Sequence, residues 1–440
     1  MIVPTRRWYQ GAALLALVAP LALVWPSAVR LLVTLDVLWI VALLVDAWRG
    51  ASIGASTFEM ERQAPTTFSV DHNVEVVYRW VSRAARPLQL VIREEAPTRI
   101  ALHVAAERSL HLLPNAPSLE LLSVRPTTRG RVTGGVLHIR VAAPIGLAWR
   151  QLRLALPWKG TVYPNLAPSS LRPLPSQLQR RREAGLRAVR HLGEGRVFES
   201  LREWVPGDDT RTIDWKATAK RGKPMARQYE DERRQQVLIV IDAGRTMTAE
   251  IDGKARLESV VDAALRLAIS AVEHDDNVGL LVFSDLIDHW IAPARGRRAL
   301  RTILDALAVV EGKLVEPDYP AAFAFLAQHN RKRALTVIFT DVIDRTASES
   351  LVAQVGSLRP RHLPLTVALR DPSLDLLATA RPTIVDEAFE RAAAEELLQV
   401  REAALADMRS RGVLVLDVHP AATAESVVAQ YELLKRRALL

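Results

Sequence analysis

The chain contains no cysteine in 440 residues, which excludes disulfides and thiolate-held metals and fits a reducing compartment. Aromatic residues are scarce at 5%, and no arginine or lysine run is interleaved with stacking rings. The net charge of +9 is spread among acidic residues, so it does not describe a nucleic-acid groove, and no nucleic-acid partner is expected. His72, His103, His111 and His138 never fall at metal-ligand spacing and read as surface or strand-face residues. What the chain has in quantity is apolar residues, at 49%, enough for real cores and against disorder.

Two apolar runs open the sequence, Trp8–Trp25 and Leu31–Trp48, each about the ~20 residues that a bilayer-crossing helix needs. Pro26, Ser27 and Arg30 leave room for a tight connection, and Trp8, Tyr9, Trp25 and Trp48 sit at the ends as interfacial aromatics do. Arg6, Arg7, Arg49 and Arg62 flank the pair against one Arg30 between the runs. This bias places both ends and the soluble body in the cytoplasm, anchored to the inner or plasma membrane. The rival, a cleaved signal peptide with Arg6 and Arg7 as its basic start, lacks a small-x-small cleavage site and meets a second run at once. Asp36 falls roughly 10 Å along the second helix at ~1.5 Å per residue, where a carboxylate is expensive. It either faces the partner helix, reaches the connection, or makes a functional contact.

From Phe58 to about Leu166, short runs of period two such as VEVVYRWV, LQLVIRE and VLHIRVA alternate with turn residues, the pattern of a β-sandwich. A proline-bearing linker with Arg180, Arg181 and Arg182 follows, either a solvated charge run or a contact to lipid headgroups. The stretch Gly193–Glu232 is dense in paired charges around Pro206-Gly207, with Asp208 or Asp209 placed to cap a short helix Thr212–Arg221 that ends at Gly222. Arg202, Glu203, Asp208, Asp209, Arg211, Asp214 and Lys216 alternate in sign, and Trp215 shares a helix face with Ala219. The segment reads as a structural charge network or a docking surface for a partner protein. No nucleophile, activating histidine or phosphate-cradling loop accompanies Asp208 and Asp209, so no enzyme is expected.

Beyond it, strands from Val237, Val278, His289, Leu335, Leu363 and Val413 alternate with helices, which gives a doubly wound α/β sheet. Ligands of such sheets bind beyond the carboxyl ends of the strands, which here carry Asp242, Thr246 and Asp341. An octahedral Mg²⁺ would take these three as ligands, directly or through water, and the two aspartates serve equally as helix caps. Gly244 stands where a second hydroxyl is wanted, and Glu311–Pro320 offers no serine or threonine, leaving Asp318 as the substitute in position.

Together these residues resemble the family known as domain of unknown function 58. The match is carried by Arg202-Glu203-Trp204, Pro206-Gly207-Asp208-Asp209, Arg211, Ile213–Ala219, the Asp242 loop, Arg129-Gly130, Pro144–Leu147 and Leu369–Pro372. The C-terminal part is similar to von Willebrand factor type A domains, whose metal-ion-dependent adhesion site matches Asp242, Thr246 and Asp341. The resemblance implies a non-enzymatic scaffold or adaptor that works with a MoxR-type AAA+ ATPase in assembly or maturation, beside a transglutaminase-like membrane protein. The alternative is a binding module facing the cell envelope. The expected architecture is α+β and multidomain: a transmembrane helical hairpin at 1–50, a β-sandwich at 51–166, linker and charged motif at 167–235, and the doubly wound domain at 236–440.

Overall fold

A computed structural model describes every residue except 21–24, 26–27, 104–106, 166–196, 206–209, 211–212, 231–234, 252, 342–344, 360, 438 and 440. The chain is mixed α/β and divides into two compact units, Met1–Asn165 and Leu166–Leu440.

In the first unit, helices Arg6–Val18 and Ala28–Ala51 lie against each other, with Trp39 Nε1 donating to the Trp8 carbonyl at 3.2 Å. Trp39 lies so close over Gly11 that any Cβ there would collide with its ring. Among the described residues one helix, Val29–Ala51, is long and apolar enough to cross a membrane. The described part of the other run is a 13-residue helix, short of the ~20 residues a crossing needs. Asp36 is exposed on its helix.

A five-stranded sheet and a four-stranded sheet then enclose one apolar core. Strand Val74–Ser82 sends Val76, Tyr78 and Trp80 inward, and Leu88–Glu95 sends Leu88, Leu90 and Ile92 to meet them. This period-two alternation is what makes each sheet one-faced. The core also holds an ion network. Glu94, 1% exposed, accepts from Arg62 Nη2 at 2.6 Å, Tyr78 Oη at 2.7 Å and Trp158 Nε1 at 3.1 Å, with Arg108 at 3.5 Å. Arg62 also stacks over Trp158, 4.0 Å from the ring centroid. Arg62 is therefore a core residue of the β-rich unit, and its charge does not belong to the membrane flank.

The helices are tied to this unit at one loop. Ile2–Pro4 pairs with Ala148–Arg150, and the Thr5 amide donates to the Leu147 carbonyl at 2.8 Å. Asp46, fully buried, accepts from the amides of Ile145, Leu147 and Ala148 at 2.7, 2.8 and 3.0 Å. Gly146, at φ +85°, turns those amides toward one side, which explains the Pro144–Leu147 motif. Removing Asp46 strands the buried amides of Leu147 and Ala148 at about 1–3 kcal/mol each, and frees the part-buried amide of Ile145 as well. Asp46→Ala is thus expected to lower the unfolding midpoint of the full chain in detergent, with Asp46→Asn intermediate. An Asp46→Ala midpoint equal to the parent's would refute the clasp.

The second unit centres on a six-stranded sheet of β1 (Gln236–Asp242), β2 (Asn277–Phe283), β3 (Ile287–Ala294), β4 (Leu335–Thr340), β5 (Leu363–Leu369) and β6 (Leu414–Val418). Its order is 3-2-1-4-5-6, with only β3 antiparallel to its neighbour. The third strand is longer than the run His289–Ile291 suggests. β1 alternates between two cores: Val237, Ile239 and Ile241 face one, Leu238 and Val240 the other. The first core is closed by helices α1 (Arg256–Glu273), α2 (Gly296–Val309) and α7 (Thr423–Arg436). The second is closed by α3 (Tyr319–His329), α4 (Arg345–Ser357) and α6 (Val385–Ser410). Coverage on both faces is why the parallel strands read as continuous apolar runs. A helix the sequence reading omitted, α5 (Pro372–Thr379), is capped by Asp371.

His362, just before β5, is 4% exposed, and neither ring nitrogen has a hydrogen-bond partner. Burial, then the Arg361 charge, holds its pKa below the ordinary value of 6.5. The unfolded chain therefore binds the extra proton more readily. Stability is full above about pH 6.5 and declines as pH falls through and below that value. Urea midpoints at pH 7.5 and 5.5 are expected to lie closer together in His362→Leu than in the parent.

Candidate functional site

The order in which strands are added reverses between the parallel neighbours β1 and β4, and the ends of these two strands carry Asp242 and Asp341. This is the switch point where doubly wound sheets open a crevice. The two aspartates are thus brought to one rim from a hundred residues apart, with Thr340 between them.

Asp242 is fully buried and fully engaged. Its Oδ1 accepts from the Gly244 amide at 2.8 Å, and its Oδ2 accepts from Tyr319 Oη at 2.8 Å and Thr340 Oγ1 at 2.9 Å. The two hydroxyls are themselves 2.9 Å apart. Burial pushes the Asp242 carboxyl up, opposed by the Gly244 amide and then by the Tyr319 and Thr340 hydroxyls. Burial, then the charge of Asp242, pushes the Tyr319 phenol up in turn.

Asp341, with its side chain 1% exposed, sits between two guanidiniums. Arg256 Nη1 contacts its Oδ2, and Arg401 Nη1 donates to its Oδ1 at 2.7 Å. Each arginine reaches a second carboxylate, Arg256 to Asp371 at 2.9 Å and Arg401 to Asp417 at 2.7 Å. One chain of ion pairs thereby joins the start of α1, the ends of β4 and β5, the middle of α6 and strand β6. Arg370 closes a further pair on Asp375, with contacts of 2.8 and 2.7 Å.

The two departures in the strand-end loops turn out to be one feature. A Cβ at Gly244 would come within 2.9 Å of Pro317 Cδ and 3.0 Å of the Val315 carbonyl. The bare glycine lets the third loop lie directly on the first, where the Arg245 amide donates to the Val315 carbonyl at 2.9 Å and the Lys313 amide to the Ala243 carbonyl at 2.8 Å. Thr246 Oγ1 is a buried hydroxyl with no hydrogen-bond partner among the described residues. The set Asp242, Thr246 and Asp341 does not fit a divalent cation. One carboxylate already accepts from two hydroxyls and an amide, the other already faces two cations, and the place of a second hydroxyl is filled by the third loop. Asp318, the expected substitute, caps α3 by accepting from the Ala321 amide at 2.9 Å. Among the described residues, no group of three or more histidine or acidic side chains is placed to hold a metal.

The charged motif is a two-stranded ribbon, Val197–Glu203 with Met225–Glu230, and a helix Trp215–Arg221. Its cap is Asp214, whose Oδ1 accepts from the Ala217 amide at 3.0 Å, and not Asp208 or Asp209; Gly222 closes it at φ +69°. Glu203 pairs with Lys223 at 3.1 Å, and Arg202 Nη1 donates to the Glu203 carbonyl at 3.1 Å. Trp215 is 71% exposed and Lys216 is exposed. Pro206, Gly207, Asp208, Asp209 and Arg211 lie outside the described residues.

Tyr319, Arg256, Arg401 and Asp46 were not singled out from sequence. Arg401 alone left a readable trace: with Ala394, Leu405 and Met408 it forms the buried stripe of α6, at spacings of seven, four and three.

Comparison with known proteins places this rim inside a family match. Residues 200–409 match the model described as "Protein of unknown function DUF58". Uncharacterized proteins of Mycobacterium tuberculosis and Mycobacterium bovis are 26% identical over 186 residues. The aligned part covers 41% of this chain and 55% of each relative, so the chain spans about half the length of the curated relatives it matches. Among solved structures, the conserved hypothetical protein BatB from Bacteroides thetaiotaomicron is similar at 12% identity and a TM-score of 0.32, over 46% of this chain and 99% of that one. Native alpha-2-macroglobulin of E. coli is similar at 15% identity and a TM-score of 0.20, over 24% of this chain and 7% of that one.

Proposed function

We propose that this chain, which carries a DUF58 family domain over residues 200–409, is a membrane-anchored, non-enzymatic adaptor. Its C-terminal unit, read as a von Willebrand factor A-like domain, docks a partner protein at the carboxyl rim of the sheet. The observation that carries this reading is a set of exposed apolar side chains on α5 and α6, the helices that also carry Asp375 and Arg401 of the ion pairs. Leu376 on α5 is 71% exposed, and Val385 and Phe389 on α6 are each 70% exposed, at the helices that follow β5. Internal partners engage the rim carboxylates, which suits a shaped surface better than a reacting one. The partner proposed is a MoxR-type AAA+ ATPase, with a transglutaminase-like membrane protein as a further candidate.

The membrane reading is supported by the clasp at residues 144–148. The strand before the first helix and Asp46 near the end of the second grip the same loop, as expected of a helical pair that leaves and re-enters one side of a bilayer. Arg6, Arg7 and Arg49 keep the charge bias that puts this side in the cytoplasm, now without Arg62.

Binding of a purified MoxR-type ATPase to the full chain is expected to weaken by more than about tenfold on Leu376→Asp or Phe389→Asp. Unchanged affinity in both variants, or no binding by the parent, would dispose of the docking surface. Protease protection in sealed versus opened cells tests the side of the membrane. Digestion of the soluble body from outside intact cells would favour the envelope-facing module instead.

A further inference from the structure

We propose that the guanidinium of Arg256, seconded by that of Arg401, is the resident cation of this strand-end site, so that the rim holds its shape without a divalent metal. A metal at such a site offsets the charge of the carboxylate after β4 and ties the loops around it. Arg256 does both here. It contacts Asp341 through Nη1 and Asp371 through Nη2 at 2.9 Å, joining β4 to the end of β5 from the start of α1. With side chains 4% and 1% exposed, Arg256 and Asp341 are shielded from the competition with water that makes surface pairs labile. Arg401 takes the other oxygen of Asp341 at 2.7 Å, so both carboxylate oxygens face permanent positive charge. The third loop lying on Gly244 removes the remaining room. The inference concerns the site's own charge and does not rest on the adaptor reading.

The test uses the full chain in detergent with Mn²⁺ as the probe, read as loss of the free-ion signal in electron paramagnetic resonance. The parent is expected to take up no Mn²⁺ that Asp341→Asn abolishes. Uptake that persists unchanged in Asp341→Asn lies elsewhere and leaves the rim metal-free, as proposed. Uptake by the parent that Asp341→Asn or Asp242→Asn eliminates would overturn the proposal. In Arg256→Ala, Asp341 and Asp371 are left facing one vacated space, and one or two carboxylates with waters are what a small divalent ion takes. That variant is expected to gain a Mn²⁺ site absent from the parent. A folded Arg256→Ala chain that gains none would also overturn the proposal. If the variant fails to fold, the parent and Asp341→Asn titrations decide on their own.

Discussion

Arg401→Met is expected to cost about 3–5 kcal/mol in the C-terminal unit, because it leaves the buried Asp341 with one cation in place of two and Asp417 without its ion-pair partner. The comparison that matters is with Asp341→Asn, which should cost markedly less. The five side chains Asp371, Arg256, Asp341, Arg401 and Asp417 carry three negative charges and two positive ones. Removing either arginine leaves two uncompensated negative charges, whereas neutralising Asp341 leaves two balanced pairs, Arg256 with Asp371 and Arg401 with Asp417. Hydrogen exchange of the Leu335–Thr340 amides in native conditions reads the effect where it acts. Equal losses in the two variants would show that charge balance is not what holds these strand ends together.

Glu94→Leu is expected to cost a comparable amount, about 3–5 kcal/mol, in the β-rich unit. Arg108 keeps a second partner in Glu120 at 2.9 Å, but Arg62, only 5% exposed, has no other carboxylate among the contacts described for it. Tyr78 and Trp158 lose an acceptor as well. Burial, then the charge of Glu94, pushes the Tyr78 phenol far up, so it remains a donor at any ordinary pH. Adding Arg62→Met to Glu94→Leu should recover most of the loss, since an apolar pair of similar volume replaces the buried ions. Exchange of the Leu88–Glu95 amides would measure both steps. A double variant no better than the single would mean the guanidinium is held by stacking on Trp158.

Sequence reasoning reached the strands well where burial is complete on both faces. β1 and β4 are runs of buried residues ended by an aspartate, and both the run and its terminus are visible in one dimension. It also identified Gly222 as a helix terminator, because positive φ is a local property. It failed where a residue's role is set by something distant in the chain. Arg62 reads as a juxtamembrane charge because it follows a membrane run, yet its partner Glu94 lies across the β-sandwich-like core. Asp242 and Asp341 were found, but not Arg256, Tyr319 or Arg401, whose contacts cross from strand ends to helices. Gly244 and the hydroxyl-free third loop read as two separate losses, and only the packing of one loop on the other shows them to be a single accommodation.

The grip of Asp46 on residues 145–148 also bears on mechanics. A tether of disordered chain would let the β-rich unit tumble beside the helices, but here three hydrogen bonds from backbone amides to Asp46 and a strand ladder fasten the helices to it at a point. Tension or tilt in the helices is therefore delivered to Val136–Ala142 and Ala148–Ala155, the paired strands that flank this loop, with no slack to absorb it. On the membrane-anchored reading proposed above, the first unit would move as a lever with its helices as one arm, and the Asp46 contacts and the Ile2–Pro4 ladder together would set its orientation.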